Sequence, residues 1–192
     1  GKNRHIIYEE RLHGKLETDD MQNMAMAYAV SKEKKREAIT EMITELCVSG
    51  VNAIVKSEER LQQIRSLFDL DGITVFSDRG NRLVCRNGNY MAEAPDGRPG
   101  FEDEGYLSLF GDDDIFVESN MIKLRSQNPA AYAVAQEQEI GAALQCLSRK
   151  EGIPYTMVNF EVFNRNRKWS DEDVTLLTLL GHCIGDLLNY SE

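Results

Sequence analysis

The chain closes with the stretch GIPYTMVNFEVFNRNRKWSDEDVTLLTLLGHCIGDLLNY at residues 152–190. Apolar and polar residues alternate over 156–163, which predicts a β-strand with two different faces. After a basic turn, Ser170 is placed to accept from the first free N–H groups of a helix, and Asp173 follows three residues later, as in a carboxylate form of the capping box. A leucine-rich amphipathic helix is predicted from there to Tyr190. The chain therefore ends in a strand, a short turn and a capped helix.

This closing unit resembles the end of a GAF domain, the small-molecule sensing module of many bacterial signalling proteins. Members of that family typically end with a strand opened by glycine, a turn, a tryptophan, a capped acidic helix start and a final amphipathic helix. Gly152, Trp169 and Ser170 hold those places here. The resemblance extends back to about Glu37. It implies an α+β, GAF-like fold of the PAS/GAF type, with a central antiparallel sheet of about five or six strands, helices packed on one face and a lidded pocket on the other.

The order of predicted elements agrees with that resemblance. A long Gly-, Pro- and acid-rich connection covers 87–114, and the resemblance makes it the lid of the pocket. Asn128 followed by Pro129 predicts the start of a helix that runs to about Gly141. The predicted strands are Ile73–Ser77, Arg82–Arg86, Ile115–Ser119, Ala143–Arg149 and Thr156–Phe163.

Three parts are predicted along the chain. Residues 1–17 form an N-terminal arm or linker. Thr18, followed by two aspartates, is a predicted N-cap that opens a helical extension over 18–36. Residues 37–192 form the GAF-like sensory domain.

The overall charge excludes some classes of partner. Of 192 residues, 22 are basic and 32 are acidic, which gives a net charge of −10. A chain this acidic does not favour nucleic acid or an anionic membrane surface through its overall field. We interpret the one basic cluster, residues 32–36, as a solvated helix face.

The cysteines indicate reduced thiols rather than a disulfide or zinc framework. Cys47, Cys85, Cys146 and Cys183 are widely separated and form no CxxC pair. This pattern, with no signal peptide and no apolar run long enough to span a bilayer, predicts a cytoplasmic location without direct membrane contact. An anchor elsewhere in a longer protein stays compatible with it.

Period-two alternation separates two faces of the predicted sheet. The apolar face should pack against helices and consists of Ile73, Val75, Leu144, Cys146, Val158, Phe160 and Val162. The mixed face combines aromatic and polar side chains, which suits a ligand pocket with a few orienting donors and acceptors. Its alternative interpretation is a solvated surface partly covered by loop. The pocket candidates on the mixed face are Thr74, Phe76, Phe116, Glu118, Gln145, Met157, Asn159 and Glu161, with Leu147 beside them.

The last helix carries two apolar stripes, more than one-sided packing needs. One stripe can cover the sheet and the other can meet a partner helix, so we expect a two-fold homodimer. The alternative is that the long N-terminal helix covers the second stripe within one chain. The residues predicted for the dimer helices are Met21, Met24, Tyr28, Leu176, Leu180, Cys183 and Leu187.

No catalytic or metal signature stands out. The run 111–114 lacks the ligand spacing of a calcium loop and is interpreted as a turn before a strand. His182 lies on the polar side of the last helix and is interpreted as a surface histidine. No Ser-His-Asp order, nucleophile elbow, P-loop or dinucleotide fingerprint occurs. We therefore expect no cofactor, no metal and no catalytic residue.

Together these features predict a non-enzymatic sensory or regulatory domain of a cytoplasmic bacterial signalling protein. It would bind an unknown small molecule under the lid and relay through dimer helices to an output domain. One alternative is a ligand-free dimerisation scaffold. Another is a GAF-type free methionine sulfoxide reductase, in which Cys85, at the entrance to the lid, would be the reactive thiol.

Overall fold

The fold is built on one antiparallel sheet, seen in a computed structural model that describes residues 10–49, 58–77, 82–86, 89–91 and 103–190. The helices are α1 (Glu10–Ser49), α2 (Glu58–Leu67), α3 (Glu104–Leu107), α4 (Leu124–Gln127), α5 (Pro129–Glu137) and α6 (Asp171–Tyr190), with a 3-10 turn at Met121–Lys123. The strands are β1 (Gly72–Ser77), β2 (Arg82–Arg86), β3 (Asn89–Met91), β4 (Ile115–Glu118), β5 (Ile140–Lys150) and β6 (Ile153–Phe163).

The six strands lie in the order β3-β2-β1-β6-β5-β4, and every neighbouring pair is antiparallel. This confirms the predicted α+β class with a central antiparallel sheet. β5 and β6 are longer than predicted because they form one hairpin whose turn residues, Glu151 and Gly152, both take positive φ. Helix α5 is shorter than predicted because Glu139 has φ +60°, which ends helical geometry and lets β5 start at Ile140.

The prediction of a helix start at Thr18 is wrong, because α1 already begins at Glu10 and runs unbroken to Ser49. Residues 10–17 include leucine, lysine and glutamate, which have good helix propensity and carry the helix past the expected cap. The chain divides into two units, residues 1–34 and 35–192. Parts of the predicted N-terminal arm, 1–9, and of the predicted lid, 87–88 and 92–102, lie outside the described residues.

The apolar face of the sheet is covered by α2, α6 and the part of α1 that belongs to the second unit. Glycines in α6 allow this close approach: a Cβ at Gly181 would lie 2.6 Å from the Cys146 sulfur, and one at Gly185 would lie 2.1 Å from the Ser148 hydroxyl. All seven residues predicted for the apolar face lie in the resulting main core. The other buried members of the main core are Ala38, Ile39, Met42, Leu46, Leu61, Ile64, Phe68, Leu70, Ala142, Trp169, Leu177, Leu180 and Ile184.

The N-terminus of α6 is held by its predicted cap and by ion pairs. The Asp173 N–H donates to the Ser170 hydroxyl at 3.1 Å, which confirms half of the capping box. The Asp173 carboxylate instead accepts from Lys35 of α1 at 2.7 Å and from Arg167 at 2.9 Å. The Arg167 guanidinium also lies 4.3 Å from the Trp169 ring centroid. These contacts fasten α1, the β6–α6 connection and α6 to one another.

The mixed face is covered by its own short helices, α3, α4 and α5, so helices lie on both faces of the sheet. Asp103 caps α3 by accepting from the Tyr106 N–H at 3.0 Å, and Asn128 caps α5 by accepting from the Ala131 N–H at 2.9 Å. Between these helices and the sheet lies a second core, composed of Tyr106, Phe110, Phe116, Met121, Leu124, Ala131, Ala135, Ile140, Ala143, Leu147 and Met157. None of the helices in the described part of the chain is long and apolar enough to cross a bilayer.

Candidate ligand site on the mixed face

Strand register places the pocket candidates in transverse rows across the mixed face. Thr74 of β1 lies opposite Asn159 of β6, Asn159 lies opposite Gln145 of β5, and Gln145 lies opposite Phe116 of β4. A second row runs through Phe76, Met157 and Leu147. A third runs through Gly72, Glu161, Ala143 and Glu118.

The polar members of these rows are withdrawn from solvent. Thr74, Asn159 and Glu161 have no exposed surface, and Gln145 is 5% exposed. Burial of uncharged or charged polar groups costs free energy unless partners replace the lost water. The partners of these groups therefore decide what the site can do.

Three of these four side chains have partners that the structure identifies. The Thr74 hydroxyl donates to the Glu161 carboxylate at 3.3 Å. The Tyr106 hydroxyl of α3 donates to the Gln145 side-chain oxygen at 2.7 Å. Tyr106 lies in the segment predicted as lid, but its bond to the sheet was not predicted, because nothing in the spacing of 101–110 shows which of its aromatic residues turns inward.

Asn159 differs from its neighbours. Neither its side-chain nitrogen nor its side-chain oxygen has a hydrogen-bond partner among the described residues. A carboxamide offers two donors and an acceptor with two lone pairs. The buried Asn159 side chain could therefore both donate and accept further hydrogen bonds.

Most of the β4–β5 side of the mixed face is filled by protein. The cavity between Tyr106, Phe116, Met121 and Gln145 has a volume of about 30 Å³, room for a single water molecule. The apolar candidates Phe116, Met157 and Leu147 are thus members of the second core. The buried donor and acceptor without hydrogen-bond partners, on Asn159, lie toward β1 and β6.

Glu118 has local partners. Its carboxylate accepts from the Asn120 N–H at 2.9 Å and from the Lys123 ammonium at 2.9 Å, so it secures the 3-10 turn that follows β4. The pocket assignment for Glu118 stays a prediction.

The predicted dimer-helix residues fall into two groups. Met21, Met24 and Tyr28 are exposed, at 68%, 73% and 63% of their surface. Leu180, by contrast, is wholly buried in the main core, so its assignment to an intermolecular surface is wrong. Leu176, Cys183 and Leu187 are half-buried and pack against that same core.

The structure describes the side chains of three of the four cysteines. Cys146 lies in the main core, where burial raises the pKa of its thiol to about 12. Cys47 of α1 is exposed and Cys183 of α6 is half-buried. None of these three lies on the mixed face, and the side chain of Cys85 is outside the described residues.

The acidic run 111–114 forms a turn, as interpreted from the sequence. The Asp113 carboxylate accepts from the Ile115 N–H at 3.3 Å, and Asp114, at φ +57°, pairs with Arg149 at 2.8 Å. Across the part of the chain that the structure describes, no three metal-ligating side chains come together.

A larger cavity, which the sequence did not indicate, lies next to the first and shares Met121 and Ile140 with it. It has a volume of about 240 Å³ and opens between the 3-10 turn, α5 and the β6–α6 connection. Its position depends on Glu139 and Asn164, both with positive φ, and on the 2.7 Å hydrogen bond that Asn164 N–H donates to the Glu139 carbonyl. Lining residues that carry polar groups are Asn120, Tyr132, Gln136, Glu139, Asn164, Arg165 and Asn166.

The sequence matches no protein-family model and no curated protein. Solved structures do match. The far-red absorbing dark state of JSC1_58120g3 with bound biliverdin IXa superposes with a TM-score of 0.54 at 17% identity, over 79% of this chain and 97% of that one. The chromophore-binding domain of the bacteriophytochrome RpBphP3 from R. palustris gives 0.55 at 12% identity, over 83% and 62%. This chain has the GAF fold.

The free methionine-R-sulfoxide reductase from Neisseria meningitidis, in complex with its substrate, is also similar, with a TM-score of 0.54 at 8% identity over 82% of this chain and 90% of that one. At such identities the likeness establishes the GAF fold and leaves chemistry to be argued from this chain's own residues.

Proposed function

We propose that this chain is a non-enzymatic sensory domain that binds a small molecule on the mixed face of its GAF fold. The observation that carries the proposal is Asn159, a fully buried carboxamide with no partner among the described residues. An unmet buried hydrogen-bonding group costs about 1–3 kcal/mol. A bound ligand, or an ordered water that the ligand displaces, would offset that cost.

The neighbours of Asn159 support a ligand rather than a purely structural role. Thr74 and Gln145 flank it across the two adjacent strands, and Glu161 lies two residues along β6. An apolar core does not need such a row of polar groups, and burying it lowers stability, a cost that proteins accept mainly at functional sites. Among the structures with this fold, one carries biliverdin and one a substrate, so the fold accommodates small molecules.

None of the three described thiols is a reductase nucleophile on the mixed face, so the reductase alternative rests on Cys85, whose side chain is outside the described residues. A reductase nucleophile must be a reactive thiolate at the ligand site. Cys146 lies on the opposite face of the sheet, and burial raises its pKa to about 12. A methionine sulfoxide turnover assay with no product above background is the expected result.

We further propose that the domain is cytoplasmic, acts in bacterial signal transduction, and forms a homodimer whose helices relay to an output domain. The exposed Met21, Met24 and Tyr28 support the dimer, because they recur at helical spacing and present apolar surface. Sedimentation equilibrium at tens of micromolar should show a dimer, and Met24→Glu should weaken it. A monomer for the unmodified chain would overturn this part.

Native mass spectrometry of the purified domain tests the ligand directly. A co-purifying small molecule is expected with the unmodified chain and should be lost from Asn159→Leu. The matched control is Gln127→Leu, the same kind of polar-to-apolar exchange at an exposed position of α4.

A thermal-shift screen against metabolites distinguishes the scaffold alternative. Stabilisation of the unmodified domain and of Gln127→Leu, but not of Asn159→Leu, is the predicted pattern. A domain that carries no molecule and responds to no compound would be the ligand-free scaffold instead. Equal stabilisation of Asn159→Leu would place the ligand elsewhere.

A further inference from the structure

The part of α1 that belongs to the second unit begins beside the first turn of α6. Lys35 of α1 pairs with Asp173 of α6 at 2.7 Å, and the next residue of α1, Arg36, pairs with Glu172 at 2.8 Å. Both pairs involve the first turn of α6, so they fix the position of the two helices at one end.

The helices stay adjacent further along because they cover the same core. Met42 and Leu46 of α1 and Leu180 and Ile184 of α6 are all fully buried in the main core. Contacts at one end and a shared core beyond it mean that the two helices run in the same direction past each other.

This parallel course brings two thiols to the same level. Cys47 follows Lys35 by twelve residues and Cys183 follows Asp173 by ten. At a rise of about 1.5 Å per residue these are distances of roughly 18 and 15 Å along the two helices. The two cysteines are therefore in register.

The two thiols also interact with each other. The pKa of Cys183 is raised, first by burial and then by electrostatic and hydrogen-bonding interaction with the Cys47 thiol. Cys47 is exposed, so an oxidant in solution reaches it, whereas Cys183 is half-buried behind it. One accessible thiol with a second beside it is the arrangement of a peroxide-reactive and a resolving cysteine.

We propose that Cys47 and Cys183 are a redox modification site, which hydrogen peroxide converts to a reversible disulfide within one chain. The Cys47 sulfur attacks one peroxide oxygen, the O–O bond breaks, and the departing oxygen leaves as water, so that Cys47 becomes a sulfenic acid. The Cys183 sulfur then attacks the Cys47 sulfur, the S–O bond breaks, and a second water carries away the Cys183 proton. A small dithiol reverses the reaction.

The site is separate from the proposed ligand site. It lies on the helices over the apolar face, whereas Asn159 faces the other side of the sheet. A disulfide here would fasten the end of α1 to the middle of α6, and would therefore bias the helices independently of any ligand.

Oxidation of the whole 192-residue chain carrying Cys85→Ser tests the proposal. This background retains Cys47 and Cys183, and retains Cys146 as a buried internal control. After dilute peroxide, unfolding and N-ethylmaleimide, one adduct should remain, at Cys146, and the underlying mass should fall by about 2 Da for the two lost hydrogens. Dithiothreitol should restore all three adducts, and peptide mapping should join the segments around Cys47 and Cys183.

Two variants separate the proposed order of events from nonspecific oxidation. Cys183→Ser should stop at a Cys47 sulfenic acid, which dimedone traps. Cys47→Ser should leave Cys183 reduced under the same treatment. Three outcomes would overturn the site: three adducts after peroxide, a cross-link between two chains on a non-reducing gel, or Cys183 oxidation that proceeds equally without Cys47.

Discussion

The two faces of the sheet bury comparable side chains but use them differently. The apolar face packs an apolar main core under α1, α2 and α6, and its buried charge at Asp173 has two cationic partners. The mixed face packs a smaller core and also buries Thr74, Asn159 and Glu161, with Asn159 left without a partner among the described residues. The comparison shows that the buried charge on the apolar face is paired, whereas the mixed face buries an amide without a partner among the described residues.

Truncation of matched phenylalanines gives the largest expected effect. Phe160→Ala, on the apolar face, should lower the free energy of unfolding by about 5 kcal/mol, because Phe160 is wholly buried in the main core. Phe116→Ala, on the mixed face, should cost about 3 kcal/mol, since Phe116 borders the 30 Å³ cavity and its surroundings are less fully packed. Urea unfolding measures both, and equal losses would contradict the difference between the faces.

Asp173→Asn should cost about 3 kcal/mol, because it leaves Lys35 and Arg167 as half-buried cations that have lost their shared carboxylate. The neighbouring Glu172→Gln is the control. Its partner Arg36 is 54% exposed, so the loss should be about 0–1 kcal/mol. Chemical denaturation of both variants tests whether charge on the apolar side is tolerated only when it is paired.

Adjacent residues of β6 allow opposite exchanges on the two faces. Asn159→Leu should stabilise the ligand-free domain by about 1–2 kcal/mol, because it removes a buried group that lacks partners at nearly constant volume. Val158→Thr should destabilise it by about 1–2 kcal/mol, since it places a hydroxyl in the main core. If thermal unfolding shows Asn159→Leu to be destabilised, the amide has partners that the described residues do not supply.

A pH titration tests the burial of a single thiol on the apolar face. Burial raises the pKa of Cys146 from 9.0 to about 12, so above pH 9 the thiol ionises in the unfolded chain but stays protonated in the folded one. Stability is therefore fully present below pH 9 and should fall by up to about 1.4 kcal/mol per pH unit as the pH rises toward 12. Urea unfolding of Cys146→Ala between pH 8 and 10.5 should show a shallower slope. Identical slopes would mean that Cys146 ionises in the folded state too.

Much of the fold could be predicted from local patterns in the sequence. Alternation over 156–163 assigned Val158 and Phe160 to one face and Asn159 to the other, and the structure places them so. Ser170 was recognisable as a cap because capping depends on residues within one helical turn. The ends of β5 and α5 were misjudged because they depend on positive φ at Glu151 and Glu139, residues that usually avoid that region.

Contacts between segments far apart in the chain could not be predicted from local patterns. Nothing near Leu180 distinguishes a residue under α1 and α2 from one on an open helix face. The parallel course of α1 and α6, which aligns Cys47 with Cys183, joins residues more than a hundred positions apart.

The amino-acid order alone determined which residues can share a face, because strand and helix periodicities are local properties of the backbone. Tertiary packing decided which of those faces is full and which has unused hydrogen-bonding capacity. That outcome depends on the volumes and partners supplied by segments far away in the chain.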